Sequence, residues 1–111
     1  MVYAMNLILN ERNGQYVMCE HEVENLEGEM ILYIPEVNKI ISLNETATFV
    51  WRLVVLAGEQ KVDLSDIKLA RTVIQFYECN ENLFEAILND VRDILNIFIS
   101  ESALVCQNES I

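Results

Sequence analysis

The stretch IISLNETATFVW, residues 40–51, contains a strand that gives way to a helix without a linker. The β-branched residues that lead to Leu43 favour a strand. Asn44 marks a helix start, because its side-chain carbonyl can accept a hydrogen bond from the first turn, and Glu45 interacts favourably with the helix dipole. The apolar residues that follow have helical spacing; they are Ala47, Val50, Trp51, Val54 and Val55. This helix is expected to end at Gly58.

A β-hairpin is predicted immediately before this junction. Residues 30–34 and 39–43 are rich in β-forming side chains and flank the sequence Pro-Glu-Val-Asn at 35–38. Proline presets φ for a turn there, and asparagine tolerates the left-handed conformation. The period of a strand gives residues 39–43 two faces, with Ile41 and Leu43 on one and Ile40 and Ser42 on the other.

The N-terminal region, residues 5–27, alternates weakly between apolar and polar side chains. It is expected to form one or two short strands, with Asn13-Gly14 as the turn between them. Residues 21–28 are acidic and end in glycine. They are therefore expected to form a connecting loop.

A second helix is predicted between Asp63 or Ser65, either of which can cap it, and about Tyr77. Its expected apolar face consists of Leu64, Ile67, Ala70, Val73, Ile74 and Tyr77. A third helix opens at Asn80 or Asn82 and extends to about residue 99. Its expected stripe is Phe84, Ile87, Leu88, Val91, Leu95 and Phe98, and a polar tail follows at 106–111. The order is strands first and then three helices, which defines an α+β chain.

Length and composition are typical of one packed domain over residues 1–111, since 52% of the residues are hydrophobic and there are three Gly and one Pro. The 18 acidic and 7 basic residues give a net charge of -11. Such a field repels nucleic acid and anionic lipid surfaces and attracts a basic peptide. No apolar run approaches the roughly 18 residues of a membrane span, and no secretory signal is evident, so a cytoplasmic location is expected. The three cysteines, Cys19, Cys79 and Cys106, are expected to be reduced and buried.

No motif in the sequence indicates catalysis, a metal or a cofactor. His21 lies between two glutamates, without a second ligand at metal-binding spacing, and is expected to be a solvated loop residue. The sequence has no glycine-rich phosphate loop and nominates no partner for a nucleophilic cysteine. Asp90 and Asp93 are expected on a solvated helix face, whereas Trp51 and the Phe76-Tyr77 pair are expected in the core. The protein is therefore expected not to be an enzyme.

The run LYIPEVNKIISLNETATFVW, residues 32–51, resembles the PQQ-biosynthesis protein D family, whose members share a hairpin, Leu-Asn-x-Ser/Thr-Ala and an apolar helix. The matching positions are Leu43, Asn44, Thr46 and Ala47, followed downstream by Ile67, Asp90, Val91 and Leu95. The resemblance covers about residues 28–105. Ala57-Gly58 replaces the usual Asp-Gly, and residues 101–104 replace the usual Gly-Leu or Gly-Trp. These departures favour a stand-alone relative that serves a peptide outside the PQQ pathway.

The resemblance implies a small winged helix-turn-helix-like domain, in which a three-stranded antiparallel sheet is followed by three helices. It also implies a peptide recognition element, which is not catalytic and needs no cofactor. Such a domain binds the leader segment of a ribosomally synthesised precursor peptide. It then presents that peptide to a modifying enzyme, often a radical S-adenosylmethionine protein.

In that architecture the strand before the first helix lies at a sheet edge, where a peptide can be added as a further strand. The predicted peptide-binding residues are Lys39, Ile40, Ile41, Ser42 and Leu43 of this strand, and Ile87, Asp90, Ile94 and Ile97 of the third helix. The helix residues form a flank that is more apolar than a solvated face requires. The alternative is that Ile94 and Ile97 pack on the sheet or on a partner. An open edge is also a route to a homodimer.

Two other classes of protein are compatible with the pattern. A winged helix is common among nucleic-acid-binding regulators, but residues 82–100 contain one arginine against three acidic residues. A helix that reads a DNA groove needs Arg or Lys to offset phosphate repulsion. The other class is a scaffolding subunit of a larger enzyme, with no peptide ligand of its own.

Overall fold

A computed structural model describes residues 4–107. Within this range the strands are β1 (Ala4–Leu9), β2 (Arg12–Met18), β3 (Glu22–Leu26), β4 (Glu29–Ile34), β5 (Lys39–Leu43), β6 (Leu64–Ser65) and β7 (Leu104–Cys106). The helices are α1 (Glu45–Gln60), α2 (Asp66–Tyr77) and α3 (Phe84–Ser100). The structure confirms an α+β chain that contains a three-stranded antiparallel sheet and helices.

The strands form two sheets in the described part of the chain. One is three-stranded and antiparallel, in the order β3-β4-β5, and the other is four-stranded, in the order β6-β1-β2-β7. Strand β6 joins β1 in parallel, and β7 joins β2 antiparallel. The tail predicted at 106–111 therefore begins inside a strand, at Cys106, and residues 108–111 lie outside the described residues. Strands β6 and β7, which lie later in the chain, thus extend the N-terminal hairpin on both of its edges.

The turn of the first hairpin lies at Asn10-Glu11, so the prediction of a turn at Asn13-Gly14 was wrong. Asn10 and Glu11 have φ of 54° and 64°, the positive values that a type I′ turn requires. Gly14 instead lies within β2, opposite Leu7 of β1. The longer first strand allows a full row of alternate apolar side chains to be buried, and this outweighs the local Asn-Gly preference.

The second correction concerns residues 21–28, which were expected to be a loop but contain β3. All five residues of β3 are exposed, so the strand has no alternation that a sequence pattern could reveal. Its pairing with β4 comes from main-chain hydrogen bonds and a tight turn at Glu27-Gly28. Gly28 has a φ of 68°, a left-handed conformation that glycine adopts without a steric penalty.

The β4–β5 hairpin is confirmed. A single 3₁₀ turn over Pro35–Val37 connects its strands, and Asn38 follows with a left-handed φ of 53°. The predicted faces of β5 are also confirmed, since Ile41 and Leu43 are buried whereas Ile40 and Ser42 are exposed. This alternation fixes the register of β5, because a one-residue slip would expose its buried side chains.

Helix α1 begins as predicted. The Asn44 side-chain oxygen accepts a hydrogen bond from the backbone N–H of Ala47 at 2.9 Å. The helix continues to Gln60, however, so Gly58 is not its terminal residue. Lys61 adopts the left-handed conformation with a φ of 57°, and its N–H closes the last turn. Gly58 is buried within that turn.

The later helices also begin with side-chain caps. Ser65 Oγ accepts from the N–H of Lys68 at 3.0 Å and starts α2, whereas Asn80 starts a short 3₁₀ turn before α3. The predicted face of α2 was wrong at Ile67, which is 44% exposed, and missed Leu69, which is 1% exposed. The buried residues of α3 lie on the predicted stripe: Leu88, Val91, Leu95 and Phe98.

Trp51 lies in the core, as expected, with its ring centroid 4.8 Å from that of Phe98. His21 is not a fully solvated residue, because its ring packs edge-on against Trp51 at 5.1 Å and one ring nitrogen lies 2.9 Å from the Cys19 carbonyl oxygen. Phe76 was expected in the core but is 63% exposed. Phe76 lies outside the buried stripe of α2, and its ring stacks on the ring of the half-buried Phe49.

Asp66 is a buried carboxylate that joins three parts of the fold. It accepts hydrogen bonds from the N–H of Asn10 at 2.9 Å, from the N–H of Ile67 at 2.7 Å and from Arg92 Nε at 2.8 Å. Burial alone would raise the pKa of Asp66, but these hydrogen bonds outweigh it and lower the pKa below its ordinary value. The first hairpin, α2 and α3 are thus tied together at one charged group.

The cysteines are free in the structure, but their burial differs from the expectation. Cys106 is exposed at the end of the edge strand β7, on the same face as the buried Leu104, whereas Cys19 and Cys79 are partly buried. Burial raises the pKa of the Cys19 thiol, and the nearby Glu36 carboxylate raises it further. Among the described helices, none has the length and apolar content needed to cross a membrane.

Candidate peptide-binding site

Strand β5 is an edge strand of the three-stranded sheet. Within residues 4–107, its only strand neighbour is β4, and β3 occupies the opposite edge. One row of backbone groups on β5 is therefore not used in a ladder. The register of the sheet determines which residues supply that row.

The register can be followed from the tight turn between β3 and β4. That turn has two residues, so its flanking residues Leu26 and Glu29 form a hydrogen-bonded pair. Hydrogen-bonded and non-hydrogen-bonded pairs alternate along an antiparallel ladder. The even-numbered residues of β4 therefore direct their backbone groups away from β3 and towards β5; they are Met30, Leu32 and Ile34.

The partners of these β4 residues on β5 are Leu43, Ile41 and Lys39. The two residues between them, Ile40 and Ser42, consequently direct their N–H and C=O groups to the open side. This edge offers two donors and two acceptors to an incoming strand. Within the predicted segment Lys39–Leu43, Ile40 and Ser42 thus have backbone groups that are not paired within the sheet.

The side chains of β5 hold this edge in place. Ile41 is 8% and Leu43 3% exposed, and both belong to the hydrophobic core. At the strand end, the Thr48 hydroxyl donates a hydrogen bond to the Leu43 carbonyl at 3.2 Å, while Asn44 caps α1. The backbone that would receive a peptide is therefore anchored to the first turn of a helix.

The start of β5 lies beside the end of α3. Lys39 Nζ is 3.6 Å from Glu101 Oε2, and the N–H of Glu101 bonds to the Ile97 carbonyl at 2.9 Å, which extends the helical path by one residue. Residues four and seven positions earlier share a helix face with Glu101. Ile97 and Ile94 therefore lie on the same side of α3 as Glu101.

The opposite flank of α3 faces the four-stranded sheet. Arg92 reaches Asp66, which also binds the first hairpin, and Asn96 and Ile99 line a cavity of about 850 Å³ together with Gly14. The flank that contains Ile94 and Ile97 is thus not the one that lies towards the four-stranded sheet.

The predicted residues of the α3 flank differ in exposure. Ile87 and Ile94 are partly buried and pack against the core. Asp90 is exposed, and Ile97 is 47% exposed. Ile97 is therefore the apolar side chain of this flank that a ligand can cover most fully. Asp90 lies on the same flank and can pair with a basic group of that ligand.

Glu101 was missed at the sequence level, although its position follows the same spacing as Ile94 and Ile97. Helical periodicity extended two residues beyond the predicted end of α3 would have placed it on this flank. Its pairing with Lys39 depends on the relative placement of α3 and the sheet. The sequence spacing alone does not specify that distance.

The described residues contain no group of three or more His, Cys, Asp or Glu side chains arranged to hold a metal ion. The chemical groups of the candidate site are backbone amides, aliphatic side chains, one lysine and two carboxylates. Such groups can bind and orient a peptide through hydrogen bonds, apolar burial and charge pairing. Comparisons with family models, with curated proteins and with solved structures gave no match to this chain.

Proposed function

We propose that this protein is a non-catalytic peptide-binding adaptor. It binds the leader segment of a ribosomally synthesised precursor peptide as an added strand on β5, and presents the peptide to a modifying enzyme of the radical S-adenosylmethionine type. The observation that carries the proposal is the open row of Ile40 and Ser42 beside the apolar flank of α3. The family resemblance of residues 32–51 suggests the class of peptide and the class of enzyme.

The proposal includes a winged helix-turn-helix-like arrangement for the region of resemblance. The order of the three-stranded sheet followed by α1, α2 and α3 supports it. The four-stranded sheet adds to this pattern and packs on the far flank of α3. It therefore leaves the proposed peptide groove open.

Backbone pairing alone is too weak for useful affinity. Four hydrogen bonds at roughly 0.5–1.5 kcal/mol each do not offset an association cost of about 4–15 kcal/mol. Apolar peptide side chains must supply the remainder, at roughly 1.5–3 kcal/mol for each one that is fully buried. Ile97 and the adjoining Ile94 offer the apolar surface on which such a side chain can pack.

The anchored edge reduces the cost of ordering on binding. Ile41 and Leu43 are buried, and Thr48 fixes the carbonyl of Leu43. The β5 backbone is therefore set before a peptide arrives. A preorganised receptor spends less of its interaction free energy on ordering, so a short leader segment can bind.

Nucleic-acid binding is the less favoured function. The one arginine of α3, Arg92, donates to the buried Asp66 carboxylate at 2.8 Å and is not directed at a groove. The three exposed acidic residues of this helix, Glu85, Asp90 and Asp93, would repel phosphates. A shift of duplex DNA by the protein at moderate salt would favour this alternative.

A direct test of the proposed function is a nuclear magnetic resonance titration with the leader of a short precursor peptide encoded beside the gene. We expect the amide signals of Ile40 and Ser42 and the methyl signals of Ile97 to shift. Amides of the opposite edge, on β3, should remain unchanged. A leader that binds without affecting β5, or does not bind at all, would refute the strand-addition proposal.

Replacing Ile97 by aspartate should weaken leader binding about tenfold, because it removes part of an apolar contact worth roughly 1.5–3 kcal/mol and adds a charge to the groove. Circular dichroism should remain native, since Ile97 is 47% exposed. Val105→Asp is the matched control, because Val105 is 42% exposed and lies on β7 of the other sheet. Equal affinities of the two variants, measured by calorimetry, would remove Ile97 from the site.

A further inference from the structure

The outer face of the three-stranded sheet, which points away from the core, is a second surface with recognisable chemistry. Strand register places Glu22, Tyr33 and Ile40 in one row across it, and Glu24, Ile31 and Ser42 in the next. The buried residues of β4 and β5 belong to the opposite face. Ile40 is 72% exposed, the largest value among the exposed large hydrophobic residues of the described chain.

The charged side chains on this face are glutamates; of the neighbouring cations, Lys39 pairs with Glu101 and Arg52 donates to Asn25. Residues 13–38 contain six glutamates and no lysine or arginine. Two of these glutamates, Glu22 and Glu24, flank the half-buried side chains of Tyr33 and Ile31 on the face itself. The surface therefore combines apolar contact area with a negative field that attracts basic groups.

A cleft adjoins the row of Glu22, Tyr33 and Ile40. It has a volume of about 400 Å³ and is lined by Glu20, His21, Glu22 and Pro35. Glu22 is shared by the cleft and the row, so the two form one continuous surface. A long basic side chain can extend into the cleft while its apolar neighbours cover Tyr33 and Ile40.

A second copy that docked through the same face would bring the two sets of glutamates together, and like charges at an interface are strongly unfavourable. The surface that complements this face is therefore a basic one.

We propose that the outer face of the three-stranded sheet docks a partner protein whose contact surface carries apolar side chains flanked by Lys or Arg. The apolar groups pack on Tyr33 and Ile40, and the basic groups pair with Glu22 and Glu24 and enter the cleft beside Glu20. This surface uses side chains, whereas the peptide site uses the backbone edge of β5 and the flank of α3. The two sites share Ile40, whose backbone belongs to the β5 edge and whose side chain belongs to the outer face, but the docking surface does not require the peptide function.

The test uses a short synthetic peptide in which leucine alternates with arginine, titrated into the full-length protein at low and at high salt. We expect shifts at the side chains of Tyr33, Ile31 and Ile40. The double variant Glu22→Lys/Glu24→Lys should bind this peptide at least about tenfold more weakly at low salt, with a smaller difference at high salt. Glu59→Lys/Glu85→Lys is the control, since it changes net charge equally on exposed helical positions.

Three results would overturn this inference. They are no binding of the synthetic peptide at low salt, equal loss in the two double variants, and resonance shifts confined to the backbone amides of β5 and to α3, with none at Tyr33 or Ile31. A leader peptide that fails to bind, while the synthetic peptide still depends on Glu22 and Glu24, would refute the proposed function alone. The experiments therefore distinguish failure of the leader-binding proposal from failure of the docking-surface proposal.

Discussion

Replacing Asp66 by alanine is expected to lower the free energy of unfolding by about 3–5 kcal/mol, as measured by urea denaturation. Asp66 is 1% exposed, and its carboxylate accepts hydrogen bonds from Asn10, Ile67 and Arg92. Its removal leaves the partly buried Arg92 guanidinium without its partner. It also releases the turn of the first hairpin from the helices. The loss thus combines an unpaired charge with unsatisfied backbone groups.

Asp63→Ala is the matched control for Asp66→Ala. Asp63 is exposed and accepts one hydrogen bond, from the Asn6 side chain at 3.2 Å, so its loss should cost less than about 1 kcal/mol. A loss below about 1 kcal/mol in Asp66→Ala as well would contradict the buried network. The two variants remove the same charge, so any difference reports burial and partners.

The contribution of Asp66 to the free energy of unfolding should also depend on pH. The folded state lowers the pKa of Asp66 below its value in the unfolded chain. Its stabilisation is therefore complete above the unfolded pKa and disappears as the pH falls through the folded pKa. We expect the stability difference between the parent protein and Asp66→Ala to narrow in strong acid. A difference that widens on acidification would contradict the sign of the shift.

The parts of the fold that could be predicted from sequence are those fixed by local chemistry. The Asn44 cap needs only an acceptor at a helix start, and the turn before β5 needs only Pro35 and the left-handed Asn38. The faces of β5 follow from the two-residue period of a strand. These features depend on neighbours within a few residues, so they can be predicted from one sequence.

The parts that could not be predicted depend on distant partners. Strand β3 is entirely exposed and is recognised only by its pairing with β4. Strands β6 and β7 have two and three residues and exist because β1 and β2 present open edges to them. The buried role of Asp66 likewise requires Asn10, 56 positions away, and Arg92. No local pattern contains these pairings.

The candidate site likewise has features that local sequence predicts and features that depend on tertiary contacts. The position of β5 at an edge was a prediction from resemblance, and its docking residues Ile40 and Ser42 became identifiable only from the register of the sheet. The flank of α3 was predictable from helical spacing. Its placement beside β5 depends on the pairing of Lys39 with Glu101, a tertiary contact. Sequence periodicity therefore predicts which residues share a face of β5 or of α3, whereas their relative placement depends on tertiary structure.

Replacing Ser42 by proline is expected to weaken leader binding about a hundredfold, or about 3 kcal/mol, while the protein remains folded. Proline removes the N–H that Ser42 directs to the open side, and its ring occupies the space that an added strand needs. Proline is tolerated on edge strands where the N–H faces solvent. The β4–β5 ladder uses Ile41 and Leu43 instead, so it should survive.

Val23→Pro tests whether such a loss is specific to the β5 edge. Val23 lies on β3 between the hydrogen-bonded residues Glu22 and Glu24, so its N–H also points away from β4, but at the opposite edge of the same sheet. The two variants thus impose the same backbone change on one sheet. Leader affinity should fall in Ser42→Pro and stay unchanged in Val23→Pro, with similar thermal stability in both. An equal fall in both would mean that proline acts through the stability of the sheet, and unchanged affinity in Ser42→Pro would show that the leader does not add a strand at β5.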